Sequence, residues 1–205
     1  MSRIAMFGGS FNPVHFGHTG IVSRMIEEYN LDKVYVVPTY NTPLKDNTPM
    51  LSPVHRYNMC TLAFSSVDKS IVSDIEIIRQ GRSFTVDTLK ELILQNPESE
   101  MHLIIGADSF MQLELWYDVK TIFELATILT VSRGEYSADE LYEKRKFYEE
   151  KFQARVHITE EPILAVSSTQ VRNLIKDGKD FTHLLPKAVS DYIITNGLYG
   201  YEQKD

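Results

Sequence analysis

The sequence predicts an α/β fold, a doubly wound parallel sheet with helices on both faces. Two observations carry this expectation. Short aliphatic runs rich in Val and Ile recur along the 205 residues, and segments of helical period lie between them. The runs are continuous rather than alternating, the pattern of strands buried on both faces. Such strands belong to parallel sheets linked by right-handed crossover helices.

Taken in order, Ile4 to Phe7 is the first strand and leads into Gly8-Gly9. After Gly17, the residues Ile21, Met25, Ile26 and Tyr29 recur at helical spacing. Val34 to Val37 is a second strand, closed by Pro38, and Ser52-Pro53 supplies a cap and an N1 proline for a helix through about Phe64. Ile71 to Ile78 alternates and is compatible with a further strand. Thr85 is placed to cap a helix carrying Val86, Leu89, Leu92 and Ile93, which Asn96-Pro97 stops. Leu103 to Ile105 is a strand ending at Gly106, Ile128 to Val131 is another, and Val156 to Ile158 is a weaker one. Ser137-Ala138-Asp139-Glu140 has the spacing of a capping box, with Leu141, Tyr148 and Phe152 on one helical face. The charge-rich stretch from Glu135 to Glu161 as a whole reads as a solvated helical excursion. Asn173 to Lys176 is a helix ending near Gly178, with Ser168 or Thr169 as its cap and Arg172 on its first turn. Asn196-Gly197 reads as a C-cap after Val189, Tyr192 and Ile193.

Composition narrows the function classes. Twenty-one Lys and Arg stand against 28 Asp and Glu, a formal net charge of −7. That argues against nucleic acid and anionic membranes as partners, though not against a small anion in a local basic pocket. No run of about 18 apolar residues is present for a membrane span. The N-terminus reaches its glycines before a signal-peptide core can form, so secretion is not expected. A lone Cys60 excludes an internal disulfide and fits a reducing cytoplasm. The length suits one domain over residues 1–205.

In a doubly wound sheet ligands bind beyond the carboxyl ends of the strands. The first strand exit reads Gly8-Gly9-Ser10-Phe11-Asn12-Pro13-Val14-His15-Phe16-Gly17-His18. Two glycines after a buried strand let a ligand approach the backbone, although such a pair alone is often only a turn. A helix starting near Phe16 points its free N–H groups at the same crevice. His15 and His18, three apart, lie about 60° from one another on the first turn. Imidazoles, backbone donors and a helix N-terminus together suit a polyphosphate. A His-x-x-His pair binds zinc in some proteins, but here no Glu follows the first His and no third ligand is near, so no protein-held metal is expected. Neither the G-x-G-x-x-G nor the Walker pattern is present.

The segment His15-Phe16-Gly17-His18 resembles the H-x-G-H signature of the nucleotidylyltransferase superfamily, whose sheet is Rossmann-like. The whole stretch from Gly8 to His18 is similar to the opening of bacterial nicotinate mononucleotide adenylyltransferases, which more often carry Thr and Asp where this chain has Ser10 and Asn12. Val166-Ser167-Ser168-Thr169-Gln170-Val171-Arg172 resembles the second superfamily signature, which grips the ATP phosphates. It lies in a C-terminal part, 160–205, that also carries the last helices. Hydroxyls, a helix N-terminus and a guanidinium fork suit that task on chemical grounds as well.

Further segments are similar to the nicotinate mononucleotide branch and span essentially the whole chain. Pro38 to Lys45 follows the second strand; Asn41 and Lys45 fall at mononucleotide-side positions, and Leu44 departs from the family's His. Ser83-Phe84-Thr85-Val86-Asp87-Thr88 resembles an S-[YF]-T-x-D-T element, implying that Thr85 meets the pyridine carboxylate. Gly106-Ala107-Asp108 followed by Trp116-Tyr117 resembles a G-A-D…W segment. That likeness implies Gly106 and Asp108 at the adenosine and Trp116, with Tyr117, at the pyridine ring. Arg133 falls at a further substrate-side position. Without the resemblance Trp116 reads equally as a core anchor, Lys45 as solvated and Asp108 as an N-cap. Cys60 reads as packing, and His55, His102, His157 and His183 carry no companion pattern.

The resemblance implies an adenylyltransferase with ATP and nicotinate mononucleotide as partners and Mg²⁺ carried by the ATP phosphates. Gly8, Gly9, Ser10, Phe11, Gly106, Asp108, Ser168 and Thr169 would bind ATP, and His15, His18 and Arg172 would act on the reacting phosphates. Oligomeric state is left open, a homo-oligomer included. Three other readings remain in view: an enzyme using nicotinamide mononucleotide, one using another phosphorylated acceptor, and a nucleotide-sensing module that has kept the pocket. A class I aminoacyl-tRNA synthetase is disfavoured, because 205 residues leave no room for tRNA-binding domains.

Overall fold

The computed structural model of the chain describes residues 1–41, 50–132, 136–159 and 166–202. Its strands are β1 (Ser2–Gly9), β2 (Lys33–Pro38), β3 (Ser70–Val72), β4 (Ser99–Ile105), β5 (Thr127–Val131) and β6 (Val156–Thr159). They form one sheet in the order β3-β2-β1-β4-β5-β6, with every neighbouring pair parallel. β1 is therefore central, with Gly8 opposite Val37 on one edge and Phe7 opposite Ile104 on the other. The strand order reverses between β1 and β4, which opens a crevice at the carboxyl ends of both.

Successive side chains of a strand face opposite sides, so each apolar run feeds two cores. Ala5, Phe7, Val34, Val36, Ile104 and Leu129 enter one, which α1 (Phe16–Glu28), α2 (Pro53–Phe64), α8 (Ser168–Lys176) and α9 (Lys187–Thr195) cover. Ile4, Met6, Val37, Leu103, Ile105 and Ile128 enter the other. The helices α4 (Thr85–Gln95), α5 (Ala107–Met111), α6 (Val119–Leu125) and α7 (Ala138–Phe152) lie over that side. Among the described residues no helix is long and apolar enough to cross a membrane.

Most sequence expectations hold. Ser52 caps α2 by accepting from the His55 N–H, with Pro53 at N1. Ser137 and Glu140 form the reciprocal capping box of α7. Gly197 takes a left-handed conformation just past the Asn196 C-cap of α9.

Other expectations need correction. The alternating run from Ile71 to Ile78 is a strand only at its start, since Asp74 opens a helical turn, α3 (Ile75–Arg79), and its carbonyl accepts from the Ile78 N–H. Thr85 is the first residue of α4, not its cap; Phe84 holds the cap position without a side-chain bond. The cap of α8 is Ser167, whose hydroxyl accepts from the Gln170 N–H, so Ser168 and Thr169 lie inside the helix and Arg172 beyond its first turn. Asp108 lies within the first turn of α5, whose cap is Gly106. The helix α7 is no solvated excursion throughout, because Leu141 and Tyr148 are buried in the core.

Midway along β4, His102 is buried, with Nδ1 3.2 Å from the Ile4 carbonyl. Burial holds its imidazole below the ordinary pKa, against the opposing pull of the Ile4 carbonyl and Glu100. The unfolded chain therefore binds the proton more readily than the folded one below about pH 6.5. Folding stability is expected to fall as pH drops through that value toward the depressed folded pKa. Urea unfolding at about pH 7.5 and about pH 5.5 checks this; His102→Gln should lose less stability between the two than the parent chain.

Candidate active site

Two concavities meet at the carboxyl ends of β1 and β4, about 620 and about 650 Å³ in volume. They share Gly8, Gly9, Ser10, Asp108 and Ser109, so the exit of β1 is their common floor. The glycines there answer to packing as well as to access. A Cβ on Gly9 would meet the Phe11 ring at 3.0 to 3.3 Å, whereas one on Gly106 would stand in open space. Phe11 itself has φ of 46°, a left-handed backbone that costs an L-residue about 1–2 kcal/mol. Edge contacts with Phe7 and His18, at 5.5 and 5.0 Å between centroids, hold its ring in place.

The second cavity is the polar one and is lined by every residue expected at ATP or its reacting phosphates: Gly8 to Phe11, His15, His18, Gly106, Asp108, Ser168, Thr169 and Arg172. The spacing of the two histidines has a structural meaning. His15 is the N-cap of α1 and His18 its N3 residue, and His18 Nδ1 accepts from the His15 N–H at 3.2 Å. That is the reciprocal half of a capping box, filled by an imidazole in place of Glu. With Nδ1 accepting, the neutral ring carries its proton on Nε2 and donates from there. The two rings lie 3.7 Å apart and tilted by 30°.

The N-terminus of α8 is tied to the same loop. Ser168 Oγ donates to the Pro13 carbonyl at 2.8 Å, and Arg172 Nη1 donates to the Asn12 carbonyl at 2.7 Å. Arg172 Nη2 reaches back to Thr169 Oγ1 at 3.2 Å. Asn12 is buried, and its Oδ1 accepts from the Tyr199 hydroxyl at 2.9 Å and the Leu51 N–H at 3.4 Å. An amide meets this demand without burying a negative charge. Burial holds the Tyr199 phenol well above its ordinary pKa, so it stays a donor, although the Arg172 and Arg56 charges pull the other way.

The first cavity has a different character. Phe84, Leu115, Trp116 and Tyr117 line it together with Ser83, Thr85 and the buried Glu76. Trp116 is half-buried and packs on the core, while Tyr117 is exposed and lies 4.6 Å from the Phe84 ring. Burial raises the Glu76 pKa, opposed by Ser83, Thr88, Arg79 and the Tyr40 N–H. Its Oε1 accepts from Thr88 at 2.7 Å, and Thr88 in turn accepts from Arg79 at the same distance.

Of the expected substrate-side residues, Thr85, Trp116 and Tyr117 come together here. Asn41 lines neither cavity; its carbonyl accepts from the Ser83 N–H at 2.9 Å instead. Lys45 and Arg133, like Leu44, lie outside the described residues. Sequence reasoning missed Arg56 and Glu76. A signal for Arg56 was present: it shares the spacing i, i+3, i+4, i+7 with the buried Met59, Cys60 and Ala63, a charge on an apolar face. Among the described residues no three His, Cys, Asp or Glu side chains group as a metal would require.

The parallel sheet with its crevice beyond β1 and β4 is a Rossmann-like fold of the nucleotidyltransferase kind. A solved structure, Plasmodium falciparum nicotinic acid mononucleotide adenylyltransferase complexed with NaAD, superposes on it with a TM-score of 0.80 over 100% of both chains. Its sequence identity is 18%, so the likeness speaks for the fold. Residues 6–174 match the cytidylyltransferase-like family. A relative from Lachnoclostridium phytofermentans, named "Probable nicotinate-nucleotide adenylyltransferase", is 34% identical over 199 residues, 97% of this chain and 100% of its own length. One of the same name from Desulfitobacterium hafniense is 39% identical over 197 residues, 96% of this chain and 95% of its own. The chain belongs to the cytidylyltransferase-like family and, within it, to the nicotinate-nucleotide adenylyltransferases.

The capping assignment of α8 is open to test. Ser167→Ala should lower folding stability by about 1 kcal/mol, the usual cost of an N-cap hydroxyl, while Thr169→Ala, at an exposed position, should cost less. Denaturant unfolding of the two variants measures the difference.

Proposed function

We propose that this chain transfers the adenylyl group of ATP to nicotinate mononucleotide, releasing pyrophosphate and nicotinate adenine dinucleotide in NAD biosynthesis. The observation that carries this reading is the pair of cavities, similar in volume and joined at Gly8-Gly9-Ser10, one polar and one aromatic. A two-substrate transfer needs such an arrangement, with each substrate in its own pocket and the reacting atoms at the shared floor. ATP belongs in the polar cavity, with adenosine near Gly106 and Asp108 and phosphates against His15, His18, Ser168, Thr169 and Arg172. The mononucleotide belongs in the aromatic one, its ring by Trp116 and Tyr117 and its carboxylate at the start of α4 near Thr85. Asn41 supports that wall through Ser83, and Lys45 and Arg133 are assigned to the mononucleotide on family resemblance.

The 5′-phosphate oxygen of the mononucleotide attacks the α-phosphorus in line. One P–O bond forms as the bond to pyrophosphate breaks, and the electron pair leaves with pyrophosphate. The attacking phosphate is already anionic near neutral pH, so no general base is needed. Catalysis is positioning plus stabilisation of charge on the α-phosphate and the leaving group. His18 suits the α-phosphate contact, because its Nδ1 bond to the His15 N–H leaves Nε2 as the donor. Mg²⁺ carried on the ATP phosphates would neutralise part of their charge, and Asp108, common to both cavities, would be the carboxylate to hold it. On this reading residues 1–205 work as one domain in the cytoplasm on two small substrates, with neither nucleic acid nor membrane as a partner. A homo-oligomer is compatible with it.

Pyrophosphate release with ATP, Mg²⁺ and a panel of phosphorylated acceptors tests the reading, and competition between the nicotinate and nicotinamide mononucleotides measures ring preference. No release with any acceptor, despite measurable ATP binding, would favour the nucleotide sensor. His18→Ala should lower kcat by about 10²–10³; near-normal turnover would remove His18 from the α-phosphate.

A further inference from the structure

Arg56, in the second turn of α2, is fully buried, with 0% of its surface exposed. Among the described residues it forms no ion pair. Its guanidinium is spent on four main-chain carbonyls. Nε donates to Leu51 at 3.0 Å, Nη1 to Ser10 at 2.8 Å, and Nη2 to Thr39 at 2.5 Å and Tyr40 at 3.2 Å. Those carbonyls come from three separate stretches: the exit of β1, the exit of β2 and the lead into α2. Burial pulls its pKa down while the buried Glu76, beyond ion-pair distance, favours the charged form, and such a cation is costly even when fully hydrogen-bonded. A cage of carbonyls satisfies its donors without cancelling its charge.

The stretches that Arg56 holds are the ones on which the two cavities depend. Ser10 lines both, and Thr39 lines the aromatic one. From Tyr40 the connection continues: its N–H donates to Ser83 Oγ at 3.0 Å, and the Ser83 N–H donates to the Asn41 carbonyl at 2.9 Å. Ser83 opens the segment that brings Phe84 and Thr85 to the aromatic cavity. A single guanidinium thus ties the shared floor to the wall of the acceptor pocket.

We infer that Arg56 is a positioning residue for the transfer: it sets the separation between the two substrates and places a positive charge beneath the floor where their phosphates meet. The inference rests on the two-substrate reading of the site and names a device within it. Lysine cannot replace the fork, since one ammonium cannot reach four carbonyls in three directions.

The experiment compares Arg56→Lys, Arg56→Met and Ser83→Ala with the parent enzyme, each rate normalised to the folded fraction from thermal unfolding. Arg56→Lys keeps the charge and loses the geometry; kcat should fall by about 100-fold, the cost of an ångström-scale misplacement, with KM for ATP little changed. Arg56→Met loses both, so KM for ATP should rise in addition. Ser83→Ala cuts the connection beyond Tyr40 and leaves the four carbonyl bonds of Arg56 in place, and should raise KM for the mononucleotide while leaving KM for ATP alone. Parental kcat in folded Arg56→Lys, or losses in all three variants that vanish on normalisation, would overturn the inference. An inactive parent enzyme would instead count against the adenylyl-transfer reading.

Discussion

A strand paired on both edges and buried on both faces has no side chain to spare for chemistry. β1 is such a strand, held between β2 and β4, with Ile4, Ala5, Met6 and Phe7 all in the cores. Its usefulness lies at its end, where the ladder runs out at Gly8-Gly9 and the sheet order reverses. The Gly9 carbonyl still accepts from the Thr39 N–H at 2.9 Å, so the exits of β1 and β2 leave the sheet together. Beyond the sheet, functional groups must come from loops and helix starts. The first turns of α1, α5 and α8 all line the polar cavity, and that of α4 lines the aromatic one. Unpaired N–H groups at helix starts suit negative charge without requiring a cation at every contact.

That arrangement lets a chain of net charge −7 keep a crevice suited to negative charge. Among the described residues ten Lys and Arg side chains are paired with nearby acids, as Arg145 with Glu149 and Lys187 with Asp191. Arg56 bonds to backbone carbonyls, and Arg172 to a backbone carbonyl and the Thr169 hydroxyl. Carbonyl dipoles satisfy the guanidinium donors and leave the net positive charge in place, whereas a carboxylate would remove it. The acidity of the whole and the character of the crevice are thus independent quantities.

How much of this was legible in the sequence depends on how local each feature is. Val34 to Val37 and Ile128 to Val131 declare themselves because burial on both faces demands an uninterrupted apolar run. The pair His15 and His18 was legible as a shared helical face, though not as a capping box, because the bond from the His15 N–H to the His18 ring depends on where α1 begins to within one residue. The same one-residue sensitivity moved the cap of α8 from Ser168 or Thr169 to Ser167: three hydroxyl residues in a row carry equal propensity, and tertiary ties from Ser168 to Pro13 and from Arg172 to Asn12 decide among them. Alternation from Ile71 to Ile78 misled because β3 is an edge strand with one partner, and the helical turn at Asp74 competes with so short a ladder. Arg56 and Glu76 were passed over because the partners that make them tolerable are remote in sequence, Ser10 lying 46 residues from Arg56.

The charge-rich helix α7 shows the same dependence on distant partners and extends it to the aromatic cavity. Most of its residues face water, yet Tyr148 is fully buried, and its one hydroxyl proton is shared between the Phe110 carbonyl, at 2.7 Å, and Glu114. Lys144 bonds the same Glu114. Burial alone would raise the Glu114 pKa, but the hydrogen bonds from Lys144 and Tyr148 hold it below the ordinary carboxylate value, so the group stays ionised and keeps both partners. Phe110 and Glu114 belong to the stretch between β4 and α6 that carries Asp108 at one end and Trp116 at the other. That stretch consists of a five-residue helix and a single 3-10 turn, too short to define their own orientation. The buried tyrosine and the charge pair supply that orientation from the side away from the crevice. The aromatic cavity therefore owes one wall to the Arg56 and Ser83 connection and the other to a helix that contributes no residue to its lining.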